Sequence, residues 1–231
     1  MPTLKKNLKK VLDKIADASA RSGRPSDDVK LVAVSKTHTP DTISKAVRAG
    51  ILIFGENKVQ EAEEKIAEIG HDKVEWHLIG HLQKNKARKA VQLFDVIHSL
   101  DSPELAHRLE RICEEESRSK LSVFVQVDLA GEKTKSGVPQ HQLNMLVEVL
   151  KRCQRLSFDG LMTIPPMADD PEETRQYFRR LRELRDRLAE EGAFANGFGH
   201  LSMGMSHDFE VAIEEGATIV RVGTAIFGER S

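Results

Sequence analysis

Eight short strand-like segments recur along the chain with helix-like segments between them. They are Leu31–Ser35, Ile51–Gly55, Glu75–Ile79, Asp95–Ser99, Leu121–Asp128, Phe158–Ile164, His200–Met203 and Thr218–Val222. The first run is flat in its hydrophobicity, as expected of a parallel strand covered on both faces. Strict strand–helix alternation admits two architectures, a closed (β/α)8 TIM barrel and a doubly wound open sheet. Eight units without a boundary linker or low-complexity tract favour the barrel, as a single domain over residues 1–231. That length sits near the roughly 250 residues typical of such barrels. No G-x-G-x-x-G follows the first run, which argues against a dinucleotide-binding sheet. Leu4, Leu8, Val11, Leu12 and Ile15 are spaced as one helical stripe and predict an extra N-terminal helix.

Local signals agree with this layout. Thr39-Pro40-Asp41 predicts a capped helix start with proline at the first helical position. Asp101-Ser102-Pro103-Glu104 and Asp170-Pro171-Glu172-Glu173 offer Asp as cap with Glu three residues on. Gly50, Gly70 and Gly216 are placed to end helices. Tyr177, Leu181, Leu184 and Leu188 give the helix after the sixth strand its inner stripe, opposite an Arg/Glu-rich solvated face.

Composition narrows the function classes. A net charge of −1, from 35 basic and 36 acidic residues, carries no nucleic-acid or membrane-surface footprint. No apolar stretch approaches the roughly 20 residues of a membrane span. The lysine-bearing start, Met1 to Lys10, lacks the apolar core of a secretory signal. Cys113 and Cys153 are far apart, fall in helical patterns and read as free thiols, so a reducing, cytoplasmic setting is expected.

Lys36 ends the first strand, and the carboxyl ends of strands are where α/β proteins place their chemistry. A partly desolvated amine there is a nucleophile toward aldehydes; a solvated lysine opening a loop is the plainer alternative. Barrels often hold phosphates on the loops after strands seven and eight. Here these are Ser202-Met203-Gly204-Met205-Ser206, with Ser206 placed to cap a helix from His207, and Arg221-Val222-Gly223-Thr224-Ala225. Gly223 allows close backbone approach, and Thr224 adds a hydroxyl and an N–H. Taken singly, each loop is equally well a helix cap or a glycine turn. Arg221 shares a strand face with Ile219 and Gly223; placed inward it either pairs with a strand-end carboxylate or serves a ligand. A lysine, a phosphate cradle and a group at a ring nitrogen are the parts of a pyridoxal-phosphate site. An always-protonated arginine there leaves the ring a weak electron sink.

Leu31–Lys36, Phe54-Gly55-Glu56-Asn57 with Val59-Gln60-Glu61, His77–Lys86, Lys135-Ser136-Gly137, Gly160-Leu161-Met162, Leu201–Ser206 and Arg221–Gly228 carry a family resemblance. The chain resembles the pyridoxal-phosphate homeostasis proteins, which share the barrel of alanine racemase. The resemblance implies pyridoxal 5'-phosphate as cofactor, held as a Schiff base on Lys36. It implies Ser206, Gly223 and Thr224 at the phosphate, Arg221 toward the ring nitrogen, and Asn57 and Met203 close to the cofactor. Two positions depart from the family pattern: His38 stands where a second lysine is frequent, and Asp128 where asparagine is frequent. Lys135 is a candidate for handling cofactor near the mouth, with a surface salt bridge as its alternative.

A racemase of this fold needs two bases on opposite faces of the substrate carbon, the second a tyrosine from a neighbouring subunit in alanine racemase. The chain's one tyrosine, Tyr177, lies in a helix stripe, and only Phe227 to Ser231 follow the last strand, so no second domain is expected. These features imply a monomeric cofactor carrier without catalytic residues, supplying pyridoxal-phosphate-dependent apoenzymes. A small monomeric racemase and a Schiff-base aldolase are the enzyme alternatives. His77 and His81 straddle a strand–turn boundary without a third ligand, so no metal site is expected. Lys84, Lys86, Arg88 and Lys89 read as a solvated helix start, with a partner surface left open, and RNA binding is not expected without interleaved aromatics.

Overall fold

Parallel pairing runs unbroken around a closed cylinder in the computed structural model, which describes residues 2–131 and 136–228. Its strands are β1 (Lys30–Val34), β2 (Ile53–Glu56), β3 (Glu75–Leu78), β4 (Val96–Leu100), β5 (Leu121–Asp128), β7 (Leu156–Met162), β8 (His200–Ser202) and β9 (Ile219–Val222). A two-residue strand, β6 (Val138–Pro139), pairs on the side of β5. β1 lies between β2 and β9, and a β4–β5 pairing completes the ring. The open doubly wound sheet is thereby excluded. Each expected strand is present, its ends displaced by two residues at most.

The helices α1 (Pro2–Arg21), α2 (Pro40–Arg48), α3 (Val59–Ile69), α4 (Ala87–Leu93), α5 (Pro103–Glu115), α6 (Leu143–Leu150), α7 (Arg175–Glu190), α8 (Phe209–Glu214) and α9 (Thr224–Phe227) surround the barrel. Period-two alternation gives each strand an outer apolar face. Ala33, Phe54, Trp76, Ile97, Val123, Leu161, Leu201 and Val220 form one continuous buried layer with the helices. A smaller cluster of Val32, Val96, Phe124, Met162 and Ile219 fills the barrel interior. Each fully buried large side chain contributes about 1.5–3 kcal/mol relative to exposure, so the outer layer carries most of the stability.

Four local expectations are refined. On α1 the buried stripe is Leu8, Val11, Ile15 and Ala18, while Leu12 sits at its edge, 47% exposed. This helix docks on α8 and α9 through Lys14–Glu210 (2.6 Å) and an Asn7 side-chain N–H donating to the Ile226 carbonyl (3.2 Å). At α5 the cap is Ser102, whose hydroxyl accepts from the Leu105 N–H at 3.3 Å. Proline occupies the first helical position, so the cap falls on the residue just before it; Asp101 is free to face His81 at 3.3 Å. Asp170 caps a 3-10 turn, Pro171–Thr174, that leads into α7. Cys113 lies on α5, but Cys153 lies in the turn after α6 rather than in a helix, and both are free.

Candidate functional site

The carboxyl ends of the strands surround a cavity of about 310 Å³. Val34 and Lys36 enter it from β1, Asn57 from the end of β2, His81 from the end of β3, Gln126 and Asp128 from β5, Met205 from the loop after β8 and Arg221 from β9.

Lys36 is fixed through its two neighbours. The Ser35 hydroxyl donates to Glu56 Oε1 at 2.6 Å. Lys65, on the inner face of α3, donates to the Ser35 carbonyl (2.8 Å), Glu56 Oε1 (2.7 Å) and Glu61 Oε1 (2.6 Å). The Thr37 N–H also donates to Glu61 Oε1. Thr37 has φ +69°, a left-handed conformation that costs a β-branched residue about 1–3 kcal/mol and persists only when its surroundings impose it. Glu56 is fully buried, and burial raises its carboxyl above the ordinary range despite the Lys65 and Ser35 hydrogen bonds. For Glu61 burial acts upward, but bonds from Lys65 and the Thr37 N–H outweigh it and the net direction is down. Nearby, a Cβ on Gly80 would lie 2.3 Å from the Asn57 carbonyl oxygen, so a bare backbone at Gly80 is what lets Asn57 face the cavity.

Across the cavity Arg221 points inward with Ile219, as the strand alternation predicts. Its Nη1 donates to Ser202 Oγ at 2.7 Å and its Nη2 to the Thr163 carbonyl at 2.9 Å. Among the described residues no carboxylate pairs with it within 4.0 Å, so the strand-end ion pair is replaced by neutral acceptors. Burial lowers its pKa to about 10, opposed by the field of Asp208, and it stays cationic at neutral pH. Asp208 accepts from the Met205 N–H at 2.6 Å, and its own carboxyl is raised by burial.

Ser206 does not cap α8. Its hydroxyl oxygen accepts from the Gly223 N–H (3.2 Å) and the Ala225 N–H (3.4 Å), tying together the loops after β8 and β9. With two donors on its oxygen, the Ser206 proton is left to donate outward. Thr224 is exposed at the start of α9, where backbone N–H groups lack intrahelical partners. The absent Gly223 side chain accommodates Val34, since a Cβ there would meet its Cβ and carbonyl oxygen at 3.3 Å. Met203 does not line the cavity. It is fully buried in the outer apolar layer, and two residues on, Met205 is the methionine that lines the cavity.

The Asp128 carboxylate accepts from the Ala130 (3.1 Å) and Gly131 (2.9 Å) N–H groups, a role an asparagine oxygen fills equally. The His38 ring packs 4.6 Å from the Phe227 ring. Lys135 lies outside the described residues, as do Met1 and the residues after Gly228. Tyr177 is half-buried on α7 against the outer layer. Arg88 pairs with Glu115 and Glu116, and Lys89 with Glu63 at 2.6 Å, so part of the basic run is neutralised locally. The two histidines part company: His81 is half-exposed at the cavity, whereas His77 is buried inside the barrel.

Sequence reasoning missed two groups. Lys65 falls between Ala62 and Ile66 on the buried side of α3, a cation where the helix period calls for an apolar residue. His98 shares the inward parity of Val96 on a strand otherwise buried throughout.

The fold and site together define a (β/α)8 barrel that sets one lysine against one buried arginine over a cavity at the carboxyl ends of its strands. The family model described as alanine racemase, N-terminal domain, matches residues 7–231. A pyridoxal phosphate homeostasis protein of Aquifex aeolicus (strain VF5) is 45% identical over 223 residues, 96% of either chain. PipY of Synechococcus elongatus PCC7942, solved without PLP, aligns with a TM-score of 0.82 at 42% identity, over 94% of this chain and 99% of PipY. Solved with PLP bound, PipY aligns at 0.81 and 42% identity, over 93% and 100%. An alanine racemase of Clostridium difficile 630 shares the fold, with a TM-score of 0.75 at 17% identity over 100% of this chain and 60% of its own. The chain belongs to the alanine racemase N-terminal domain family and, within it, to the pyridoxal phosphate homeostasis proteins.

Proposed function

We propose that this protein binds pyridoxal 5'-phosphate on Lys36 and acts as a cytoplasmic, monomeric carrier that limits free cofactor and supplies apoenzymes, without substantial turnover. One observation carries the reading. Lys36 and Arg221 face the same cavity, and the two loops expected to hold a phosphate, which continue from its lining residues Met205 and Arg221, are joined to each other by Ser206. When bound, pyridoxal phosphate supplies an aldehyde that condenses reversibly with a primary amine, releasing water.

The residues present fit that group. Lys36 offers the amine, held in place by the Glu56–Lys65–Glu61 cluster behind it. Ser206 directs its hydroxyl proton outward, and Thr224 adds an N–H and a hydroxyl for phosphate oxygens. Arg221 keeps N–H donors beyond the two it gives to Ser202 and Thr163 and can present one to the ring nitrogen. Asn57 lies on the same wall as Lys36 and would orient the ring substituents. The chain's single tyrosine packs on α7 away from the cavity, which supports a carrier over a two-base racemase. Among the described residues no helix is long and apolar enough to cross a membrane, and both cysteines are free, in keeping with a cytoplasmic setting.

Borohydride reduction followed by peptide mapping tests the reading. A pyridoxyl group on the Lys36 peptide is expected, and Lys36→Ala should abolish the visible chromophore. An adduct on another lysine, or an unchanged chromophore in the variant, overturns it. His81 on the cavity wall favours a second reading, a residual racemase. Formation of D-alanine from L-alanine, measured by chiral chromatography and lost in His81→Ala, would establish that activity.

A further inference from the structure

The barrel interior holds a polar chain that the carrier reading leaves without a role. Glu75, the first residue of β3, places Oε1 2.9 Å from His77 Nε2. His77 Nδ1 lies 2.9 Å from His98 Nε2, and His98 Nδ1 lies 2.8 Å from Ser202 Oγ. Ser202 in turn receives Arg221 Nη1 at 2.7 Å. The rings are held by packing, with His98 stacked on Phe124 at 4.6 Å and 7°. Glu75 is half-exposed at the amino end of the barrel, and Arg221 is buried at the carboxyl end.

Proton counting fixes the direction of this chain. Arg221 can only donate, so Ser202 Oγ accepts. The hydrogen bond from His77 holds the Glu75 carboxyl below its usual range, so at neutral pH Glu75 can only accept. Burial, above all, keeps His98 neutral, with a single ring proton. A His77 ring that carries one proton must hold it on Nε2 to reach Glu75. Its Nδ1 then accepts from His98 Nε2–H, and His98 Nδ1 accepts from the Ser202 hydroxyl. Every donor points from Arg221 toward Glu75.

We propose that Glu75, His77, His98 and Ser202 are positioning residues for Arg221: a one-way hydrogen-bond chain that ties a carboxylate at the closed end of the barrel to the guanidinium at the cofactor end and fixes its plane. This rests on the carrier reading for what Arg221 does, while the chain belongs to the barrel with or without cofactor. Successive bonds in such a chain polarise one another, so the negative charge of Glu75 is felt at Arg221 through His77, His98 and Ser202. A carboxylate set directly on Arg221 would compete with a ring nitrogen for the guanidinium protons and would repel a phosphate. The chain supplies compensation from below and leaves the cavity side of Arg221 open.

Long-range proton–nitrogen NMR spectra of the full chain, without added cofactor at about pH 7.5, read the chain directly. His98 should be neutral with the proton on Nε2, and His77 should carry a proton on Nε2. A neutral His98 protonated on Nδ1 overturns the proposal, whatever the cofactor does. Ser202→Ala removes one link with little change in volume. It should shift the visible absorbance maximum of the loaded protein, which senses donation to the ring nitrogen, and weaken pyridoxal phosphate binding about 10-fold, the scale of a hydrogen bond to a charged group. Glu75→Gln, which keeps an acceptor oxygen but removes the charge, should shift the same band. An unshifted band and unchanged affinity in both variants, each melting like the parent protein, also overturns it. Failure of the carrier reading shows separately, as the absence of a Lys36 adduct in the parent protein.

Discussion

Replacing Lys65 by methionine isolates the cluster that holds Lys36 in place. The ammonium is 3% exposed and donates to Glu56, Glu61 and the Ser35 carbonyl, all within 2.8 Å. Methionine fills similar space but leaves the Glu56 carboxylate buried without its cation, a loss of about 3–5 kcal/mol for a broken buried pair. A chain of 150–250 residues loses about 2–4 °C of Tm per kcal/mol, so a drop of roughly 6–20 °C is expected by circular dichroism. The pH dependence has a definite sign. Burial already raises the Glu56 carboxyl in the folded state, and without Lys65 it rises further. A carboxyl raised on folding favours the folded state where it is protonated, and that contribution is lost as pH rises through the folded pKa. The Tm deficit should therefore be smaller at pH 5 than at pH 8. Adding Glu56→Gln should restore much of the loss by removing the stranded charge. The reasoning is refuted if Lys65→Met melts within 2 °C of the parent at both pH values, or if the double variant is less stable than the single one.

Other perturbations follow from the same contacts. Gly80→Ala would place a methyl 2.3 Å from the Asn57 carbonyl oxygen, and the required backbone shift should cost about 1–3 kcal/mol in denaturant unfolding and lower retention of pyridoxal phosphate on a desalting column. Glu110 caps the turn into β7 by accepting from the Gln154, Arg155 and Leu156 N–H groups at 2.7–3.1 Å. Glu110→Ala should cost about 2–4 kcal/mol by the same unfolding assay, since bonds to a charged acceptor are the stronger kind. Burial pushes both cysteine thiols up to about 11. At pH 8 the thiolate fraction is then about one in a thousand, and a disulfide reagent should label the folded protein slowly and the unfolded protein at once.

The layout of the barrel was legible because each unit declares itself locally. An apolar run of four to eight residues, a cap and a glycine at a helix end are each short-range signals, and together they placed every barrel strand to within two residues. The inward aim of Arg221 was legible for the same reason, from parity with Ile219. Long-range pairings were not legible. Parity sends His98 and Ser202 inward, but that they meet across 104 residues of sequence depends on the stagger of the closed sheet, which no local pattern carries. Ser206 was misjudged as a cap because the loop after β9 is a competing source of N–H donors, visible only once the two loops are adjacent. Met203 was assigned from the family resemblance alone; alternation from the inward Ser202 turns its side chain to the outer layer, while Met205 in the loop after β8 lines the cavity.

Where the acids sit explains why the cavity suits an anionic aldehyde. Glu56 and Glu61 support Lys36 from behind β2 and from α3, outside the cavity. Glu75 reaches Arg221 only through His77, His98 and Ser202. Asp128, which does line the cavity, has Oδ1 engaged by the N–H groups of its own turn. Among the described residues, the hydrogen-bond partners of the buried cations Lys65 and Arg221 do not line the cavity. Moving an acid to the front, by Gln126→Glu on the cavity wall, should weaken pyridoxal phosphate binding at least about 10-fold at low salt and less at high salt, because the added term is a screened repulsion. Equal affinity at low and high salt would show that the placement of the acids is incidental to binding.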